Sequence, residues 1–146
     1  MSATHFQRHI MSIVETANLF FDACETGKGW AACKAWCHPG ATFSAQANAL
    51  AGVKTVEAYC DWIKGLLVAV PDGHYELKAI SLDDQRQVVT VFAVFHGTHT
   101  VDGPVAATNK TFAADYVYAM QFNGDKITHM TKIWNDLHSL KQLGWA

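Results

Sequence analysis

The sequence predicts a single α+β domain, in which three helices cover one face of a strongly curved, mainly antiparallel sheet. Apolar residues recur at three- and four-residue spacing in the first half of the chain, whereas the second half carries extended apolar runs separated by turn residues. Helices followed by a run of hairpin-linked strands are typical of the α+β class. The 146 residues are enough for one domain with its own core.

The composition argues against several classes of function. Half of the residues are hydrophobic, 16% are charged, and the net charge is -2. No basic stripe is present, so we expect no nucleic-acid partner. The apolar runs are short and interrupted, so we expect no membrane span. The amino terminus lacks the apolar run of a secretory signal, which favours a cytoplasmic location.

The four cysteines all fall in the helical half and are expected to be reduced core residues. They are Cys24, Cys33, Cys37 and Cys60. Cys33, Cys37 and His38 are close enough in sequence to suggest a metal, but no second Cys/His group stands at zinc spacing. We therefore expect neither a metal nor another cofactor.

The first helix is predicted to begin at a capping-box pattern, Thr4 with Gln7, and to end at Gly27. Its polar residues, Glu25 among them, are expected to face water. A short second helix is predicted from Trp30 to about Cys37. The sequence His38-Pro39-Gly40 is expected to end it.

A short strand is predicted over residues 41–47, followed by a third helix from about Lys54 to Val70. Gly65 lies inside this helix, where glycine is costly, and close packing against another element would explain it. The sequence Pro71-Asp72-Gly73 is a strong stop.

Four strands are predicted in the second half. They run from His74 to Leu82, Gln87 to Thr100, Lys110 to Phe122 and Lys126 to Trp134. The second of these is apolar on both faces, although an antiparallel strand open to water on one side should alternate. We therefore expect the helices to cover the concave face of the sheet and a second copy of the protein to cover the outer face, which makes a homodimer.

The last strand ends beside a carboxylate. Alternation puts Met130, Lys132, Trp134 and Asp136 on one face. An acid on an apolar wall is costly unless it is paired or functional. Asp136 is therefore a candidate catalytic residue, and the alternative is a carboxylate at the rim that faces water or caps the following turn.

Two further polar residues are candidates on the same grounds. His99 stands near a strand end, where the mouth of a pocket is expected, and the alternative is a core histidine with a backbone partner. Asp115 is flanked by small residues on its face, and it could line a cavity or pair with a lysine. Tyr116 and Tyr118 are expected to be wall or interface aromatics.

Several short segments resemble those of SnoaL-like polyketide cyclases, which belong to the nuclear transport factor 2-like superfamily. They are Gly97-Thr98-His99-Thr100, Lys110-Thr111, the turn over residues 123–127, Trp134-x-Asp136 and Gln142-Leu143-Gly144. The resemblance implies an α+β cone with a deep apolar pocket and a dimer built through the sheet. The loop at 101–104 and the turn at 107–110 depart from the family pattern, which leaves the substrate open.

The resemblance also implies a cofactor-independent enzyme of the cyclase, isomerase or hydrolase kind that acts on a small apolar carbonyl compound. Asp136 would be the general acid/base, and His99 or a tyrosine would hold the oxyanion. The alternative is a non-catalytic module for binding a small molecule or for dimerisation. We expect Asp136 at the polar end of a pocket lined by Trp134, Tyr116, Tyr118, Tyr59, Ile63, Leu67 and Asp115.

Overall fold

The computed structural model describes residues 12–146. Its helices are α1 (Ile13–Glu25), α2 (Trp30–Cys33), α3 (Val56–Ala69) and α4 (Asp136–Leu143). Its strands are β1 (Cys37–Ala45), β2 (His74–Asp83), β3 (Val88–Thr98), β4 (Thr111–Asn123) and β5 (Lys126–Trp134). Two short 3-10 turns occupy Lys34–Trp36 and Asn48–Leu50. No helix within residues 12–146 has the length and apolar character needed to cross a membrane.

The five strands form one mixed sheet in the order β1-β5-β4-β3-β2. The neighbours from β2 to β5 pair antiparallel, whereas β1 pairs parallel with β5. Helices α1 and α3 cover one face of the sheet, and α4 packs against β4. The predicted α+β class and the mainly antiparallel sheet are confirmed.

Helix α1 begins later than the sequence pattern predicts. Ser12 has an extended backbone, with φ -67° and ψ 156°, and it is the N-cap of the helix. Its hydroxyl accepts a hydrogen bond from the Glu15 N–H at 3.1 Å, and the Glu15 carboxylate accepts one from the Ser12 N–H at 3.0 Å. This reciprocal pair is a capping box, which satisfies two otherwise unpaired donors. The box predicted at Thr4 and Gln7 lies outside the described residues.

Strand β1 takes in residues that the sequence pattern assigned to a helix and its stop. The second helix ends at Cys33, and β1 starts at Cys37 rather than at Ala41. Pro39 lies inside it, which an edge strand tolerates because one side of its backbone makes no ladder bonds. The pairing with β5 is irregular between Cys37 and Thr42, at the position of the proline.

A bulge in β5 sets which of its side chains face the core. The register with β4 shifts so that Gln121 pairs with His129 while Phe122 pairs with Ile127. The extra residue reverses the alternation. Ile127 is therefore buried together with Met130, although simple alternation puts them on opposite faces.

The outer face of the sheet carries an apolar row that is accessible to solvent within residues 12–146. Phe92 pairs with Val117, and Val117 pairs with Ile133, so the three side chains cross three strands side by side. Phe92 is 37% exposed and Ile133 is 61% exposed. The opposite face of the same strands is buried under the helices, so the two-sided apolarity of β3 reflects a core face and an outer row.

Candidate functional site

A small apolar cavity lies between α3 and the concave face of the sheet. Its volume is about 20 Å³, room for roughly one water molecule. The lining residues come from α1, α3, β3, β4 and β5 and are Glu25, Trp62, Ile63, Leu66, Phe95, Phe112, Ala114, Tyr116, Lys132 and Trp134. The expected deep pocket is thus mostly filled by aromatic and aliphatic side chains.

Lys132 is the cationic residue of this cavity. Its side chain is 6% exposed, and its Nζ lies within 6.0 Å of five aromatic ring centres. The nearest are those of Trp134 at 4.5 Å and Tyr59 at 5.0 Å. Aromatic faces attract a cation because the ring quadrupole is negative there. The cage therefore offsets part of the cost of burying the ammonium.

A chain of hydroxyls links Lys132 to a buried carboxyl. Lys132 Nζ donates to the Tyr59 hydroxyl at 2.8 Å. The Tyr118 hydroxyl lies 2.6 Å from the Tyr59 hydroxyl and 2.6 Å from Glu25 Oε2. Glu25 is the last residue of α1 and is 1% exposed. Four elements, α1, α3, β4 and β5, thus contribute one side chain each to a single buried network.

Burial shifts the pKa of every member of this network in the direction of its neutral form. It lowers the pKa of Lys132 to about 8, although the Glu25 charge acts in the opposite direction. It raises the pKa of Glu25, against the opposing effect of Lys132 and the tyrosine hydroxyls. Burial also raises the pKa of Tyr59 and Tyr118, so both stay protonated donors. The low polarity of the site disfavours any charged form.

Two buried oxygens at the cavity have no hydrogen-bond partner among residues 12–146. They are Glu25 Oε1 and the hydroxyl of Tyr116. Both residues line the cavity. Each of these two residues shifts the pKa of the other through its side chain, so the two atoms are neighbours that border the cavity together.

Asp136 is not one of the residues that line this cavity. It is the first residue of α4, and its Oδ2 accepts a hydrogen bond from the Ala49 N–H at 2.9 Å. The side chain therefore fastens the 3-10 turn at Asn48–Leu50 to the start of α4, where a negative charge is favourable. Asp136 therefore stands outside the lining of this cavity, because the chain turns into a helix after Trp134, and its role as general acid/base stays a prediction.

His99 is a fully buried residue that follows β3. Its Nδ1 accepts hydrogen bonds from Trp145 Nε1 at 3.1 Å and from the Thr108 N–H at 3.3 Å. Nδ1 is therefore the unprotonated nitrogen, and Nε2 has no partner within the part of the chain that the structure describes. These contacts join the loop after β3 to the carboxyl terminus, and His99 is absent from the residues that line the cavity.

The other residues expected in the pocket differ in where they lie: some line the cavity, some lie behind it, and two lie elsewhere. Trp134, Tyr116 and Ile63 line the cavity. Tyr59 and Tyr118 stand behind it, and their hydroxyls face Lys132 and Glu25.

Leu67 and Asp115 lie elsewhere and do not line this cavity. Leu67 packs over Gly27 and Gly73, so closely that a Cβ on Gly27 would lie 2.6 Å from its Cδ1. Asp115 is exposed, because it alternates with the inward-facing Tyr116 on β4, and it borders a surface hollow beside Asn135 and His138.

The residues that sequence reasoning missed are Glu25 and Lys132. Lys132 is a lone cation on an otherwise apolar strand face, a signal visible in the sequence. Glu25 was expected to face water, yet it stands four residues after the buried Phe21 and so continues the apolar stripe of α1. The sequence signal for a buried Glu25 was therefore a charged residue at the helical spacing of the buried stripe.

Comparison with known proteins agrees with this architecture. The sequence profile of the SnoaL-like domain matches residues 17–130. Among solved structures, the chain is similar to IdmH of Streptomyces antibioticus, a candidate polyketide cyclase, at 17% identity and a TM-score of 0.76, over 92% of this chain and 99% of that one. No curated protein matches the sequence.

Two further solved structures give the same result. AclR of Streptomyces galilaeus, a candidate hydroxylase, has 20% identity and a TM-score of 0.68, over 92% of this chain and 88% of that one. TsrD of Streptomyces laurentii has 14% identity and a TM-score of 0.70, over 90% and 94%. Identities this low establish the shared fold only. Because the SnoaL-like profile spans well over half of the chain, the protein belongs to the SnoaL-like domain family, as the sequence resemblance predicts.

Proposed function

We propose that this protein is an enzyme that moves a proton on a small apolar carbonyl compound, using only its own side chains, in the cavity that holds Lys132 and Glu25. The observation that carries the proposal is the convergence of a buried amine and a buried carboxyl on one apolar space. Burying two ionisable groups is expensive, so such pairs concentrate at functional sites.

The two groups suit complementary roles. An ammonium or a hydroxyl beside a carbonyl oxygen stabilises the negative charge that develops there when a neighbouring carbon loses its proton. Burial raises the pKa of Glu25, which makes its carboxylate a stronger base and brings the group nearer to the range useful for proton transfer at neutral pH. Glu25 would take the proton, and Lys132 with Tyr116 would hold the oxygen. Asp136 is the second candidate base, from the family resemblance.

The similar structures support the substrate class. IdmH is described as a candidate polyketide cyclase, and cyclisation of a polyketide proceeds through carbon atoms next to carbonyl groups. We extend only that chemistry to this protein, since the identity of 17% supports the fold and not a substrate.

Entry of a substrate requires movement at the cavity rim. Ligand pockets commonly measure about 300–1,000 Å³, far more than this cavity. Trp62, Leu66 and Trp134 line it and are only partly buried, so they form the wall nearest to water. Rotation of these side chains would enlarge the space without disturbing the strands. The substrate is therefore expected to be small.

The proposal is tested by deuterium exchange. Small ketones, from acetone to cyclohexanone, are incubated with the protein in D₂O, and loss of the protons next to the carbonyl is followed by NMR. We expect at least one ketone to exchange faster than in buffer, and Glu25→Gln to lower that rate by about 10²–10⁴. Glu57→Gln, at an exposed position of α3, is the matched control and should leave it unchanged.

The same assay separates the two candidate bases. Exchange that survives in Asp136→Asn and is lost in Glu25→Gln supports Glu25, and the reverse pattern transfers the role to Asp136. If the folded protein accelerates exchange for no ketone of the series, the enzymatic proposal is wrong.

We also propose a homodimer that buries the outer row Phe92, Val117 and Ile133. A stable interface of this kind would bury roughly 2,000 Å² or more in total. An exposed apolar row across three strands supports a protein partner, because monomers rarely leave such a surface open. A non-catalytic dimerisation or binding module is the second candidate function, and the small size of the cavity favours it.

A further inference from the structure

The buried network can align its hydrogen bonds in one direction. An ammonium can only donate, so the Tyr59 oxygen accepts from Lys132. The Tyr118 hydroxyl donates to Tyr59 and to Glu25 Oε2, each 2.6 Å away, and it has one proton for the two acceptors. When that proton points at Glu25, the Tyr59 proton can turn to Tyr118, so that every hydroxyl accepts from one side and donates to the other.

Such a chain can pass a proton without help from solvent. If each group hands its proton to the next, Lys132 becomes a neutral amine and Glu25 becomes a neutral acid, while both tyrosines remain protonated. Burial disfavours both charges and so brings the neutral pair within reach, although Lys132, with a pKa of about 8, stays mostly protonated at neutral pH. The structure therefore provides a route from an inert ammonium to an amine with a free lone pair.

We propose that Lys132 is a nucleophile that forms an imine with a small aldehyde or ketone admitted to the cavity, while the Tyr59, Tyr118 and Glu25 chain removes and returns the proton. This inference deepens the proposed function, because it requires the same cavity to admit a carbonyl compound. Lysine is suited to the role when an apolar site lowers its proton affinity.

The step balances without any further reactant. The lone pair of Lys132 Nζ attacks the carbonyl carbon, and the electrons of the C=O bond move to oxygen, which takes a proton to give a carbinolamine. The carbinolamine then loses its oxygen as water, with a proton added to that oxygen, and a C=N bond forms. In sum, the ammonium and the carbonyl compound give a protonated imine and one water molecule. The unpaired Tyr116 hydroxyl at the cavity is placed to donate to the departing oxygen.

The aromatic cage also suits the product. A protonated imine is a cation at the same nitrogen, so the five ring centres within 6.0 Å of Nζ attract it as they attract the ammonium. The titratable groups that act on Lys132 or face it are Cys24 and Glu25 from α1, Tyr59 from α3, and Tyr116 and Tyr118 from β4.

Reductive trapping tests the proposal on the unaltered protein. The full chain is incubated with propanal and cyanoborohydride near neutral pH, and the propylated lysines are identified by peptide mass spectrometry. At equal pH, a lysine with a pKa of about 8 has an unprotonated fraction roughly 10² larger than an ordinary lysine. Allowing for hindered access, we expect Lys132 to be modified at least about tenfold faster than the exposed Lys64 and Lys141.

Two variants make the result decisive. Leu66→Ala removes part of the cavity rim and should speed the labelling of Lys132 without changing that of Lys64. Tyr118→Phe breaks the proton route and should slow the labelling of Lys132 several-fold, whereas Tyr75→Phe, at a hydroxyl that bonds Asp22 instead, should not.

The outcomes separate this inference from the proposed function. If Lys132 is labelled no faster than Lys64 both in the parent and in Leu66→Ala, while ketone exchange still occurs, the imine is ruled out and the proton-transfer function stands. If both labelling and exchange are absent, the proposed function fails as well.

Discussion

Replacing Lys132 by methionine should change how the stability of the protein depends on pH. Methionine keeps the length and the apolar stem of lysine, and it packs well against aromatic rings, so the core is preserved. What the variant loses is one titrating amine. In the folded protein the pKa of that amine is lowered to about 8 by burial.

The direction follows from proton binding. Between about pH 8 and 10.4, the unfolded chain holds its proton on Lys132 while the folded protein has released it. The unfolded state thus binds more protons, and the free energy of unfolding rises with pH. Between pH 7.5 and 9.5 the two binding curves give a gain of about 2 kcal/mol from this group alone.

Other buried groups act in the opposite direction, so the parent alone does not report this gain. Burial raises the pKa of the Cys24 thiol, and it raises that of Cys37 to about 12. Unfolding releases these protons in the same pH range, which lowers stability as pH rises. The quantity to measure is therefore the difference between parent and Lys132→Met, in which the contribution of a group that Lys132 does not perturb, such as Cys37, cancels.

The assay is urea unfolding of both proteins at about pH 7.5 and 9.5, with Lys64→Met as an exposed control. We expect the free energy of unfolding of the parent, relative to that of Lys132→Met, to be about 2 kcal/mol larger at pH 9.5 than at pH 7.5. The same comparison with Lys64→Met should show no change with pH. A difference that is the same at both pH values would mean that Lys132 titrates as an ordinary exposed lysine. The conclusion that burial among the aromatic rings lowers the pKa of Lys132 would then be wrong.

Three further predictions rest on single contacts. Tyr118→Phe leaves Tyr59 and Glu25 without a shared partner and should cost about 1–3 kcal/mol of unfolding free energy, clearly more than Tyr75→Phe, whose partner is exposed. Gly65→Ala should stabilise the protein by about 0.5–1 kcal/mol in the same urea assay, because a Cβ at this position meets no atom within 4 Å of the described chain outside its own helix. Ile133→Lys should convert a dimer to monomers in light scattering, and an unchanged mass would place the partner surface elsewhere.

The sequence was sufficient for the elements and the class of the fold, because apolar period and turn residues report local structure directly. It was insufficient where tertiary packing decides. Pro39 and Gly40 read as a stop, yet they belong to an edge strand whose free side tolerates them. Gly65 was expected to mark close packing, but the space around it is open.

The candidate site shows the same limit more sharply. Lys132 could be read from the sequence as a lone cation on an apolar face, but its partner could not. Glu25 lies on α1, far from β5 in the sequence. The hydrogen bonds that connect Glu25 to Lys132 pass through hydroxyls from α3 and β4. The volume of the cavity depends on the rotamers of its aromatic lining, which no periodicity encodes.

The position of β5 in the sheet has a consequence for how the chain is made. Strands β2, β3 and β4 are consecutive neighbours and can pair as they leave the ribosome, whereas β1 pairs with β5, the last strand to be synthesised. Until residues 126–134 emerge, β1 has no ladder partner and one edge of the nascent sheet stays open. Open edges invite pairing with other chains. Ribosomes stalled before residue 126 should therefore carry a chain that is prone to aggregate and depends on chaperones, and this dependence should end once β5 has been released.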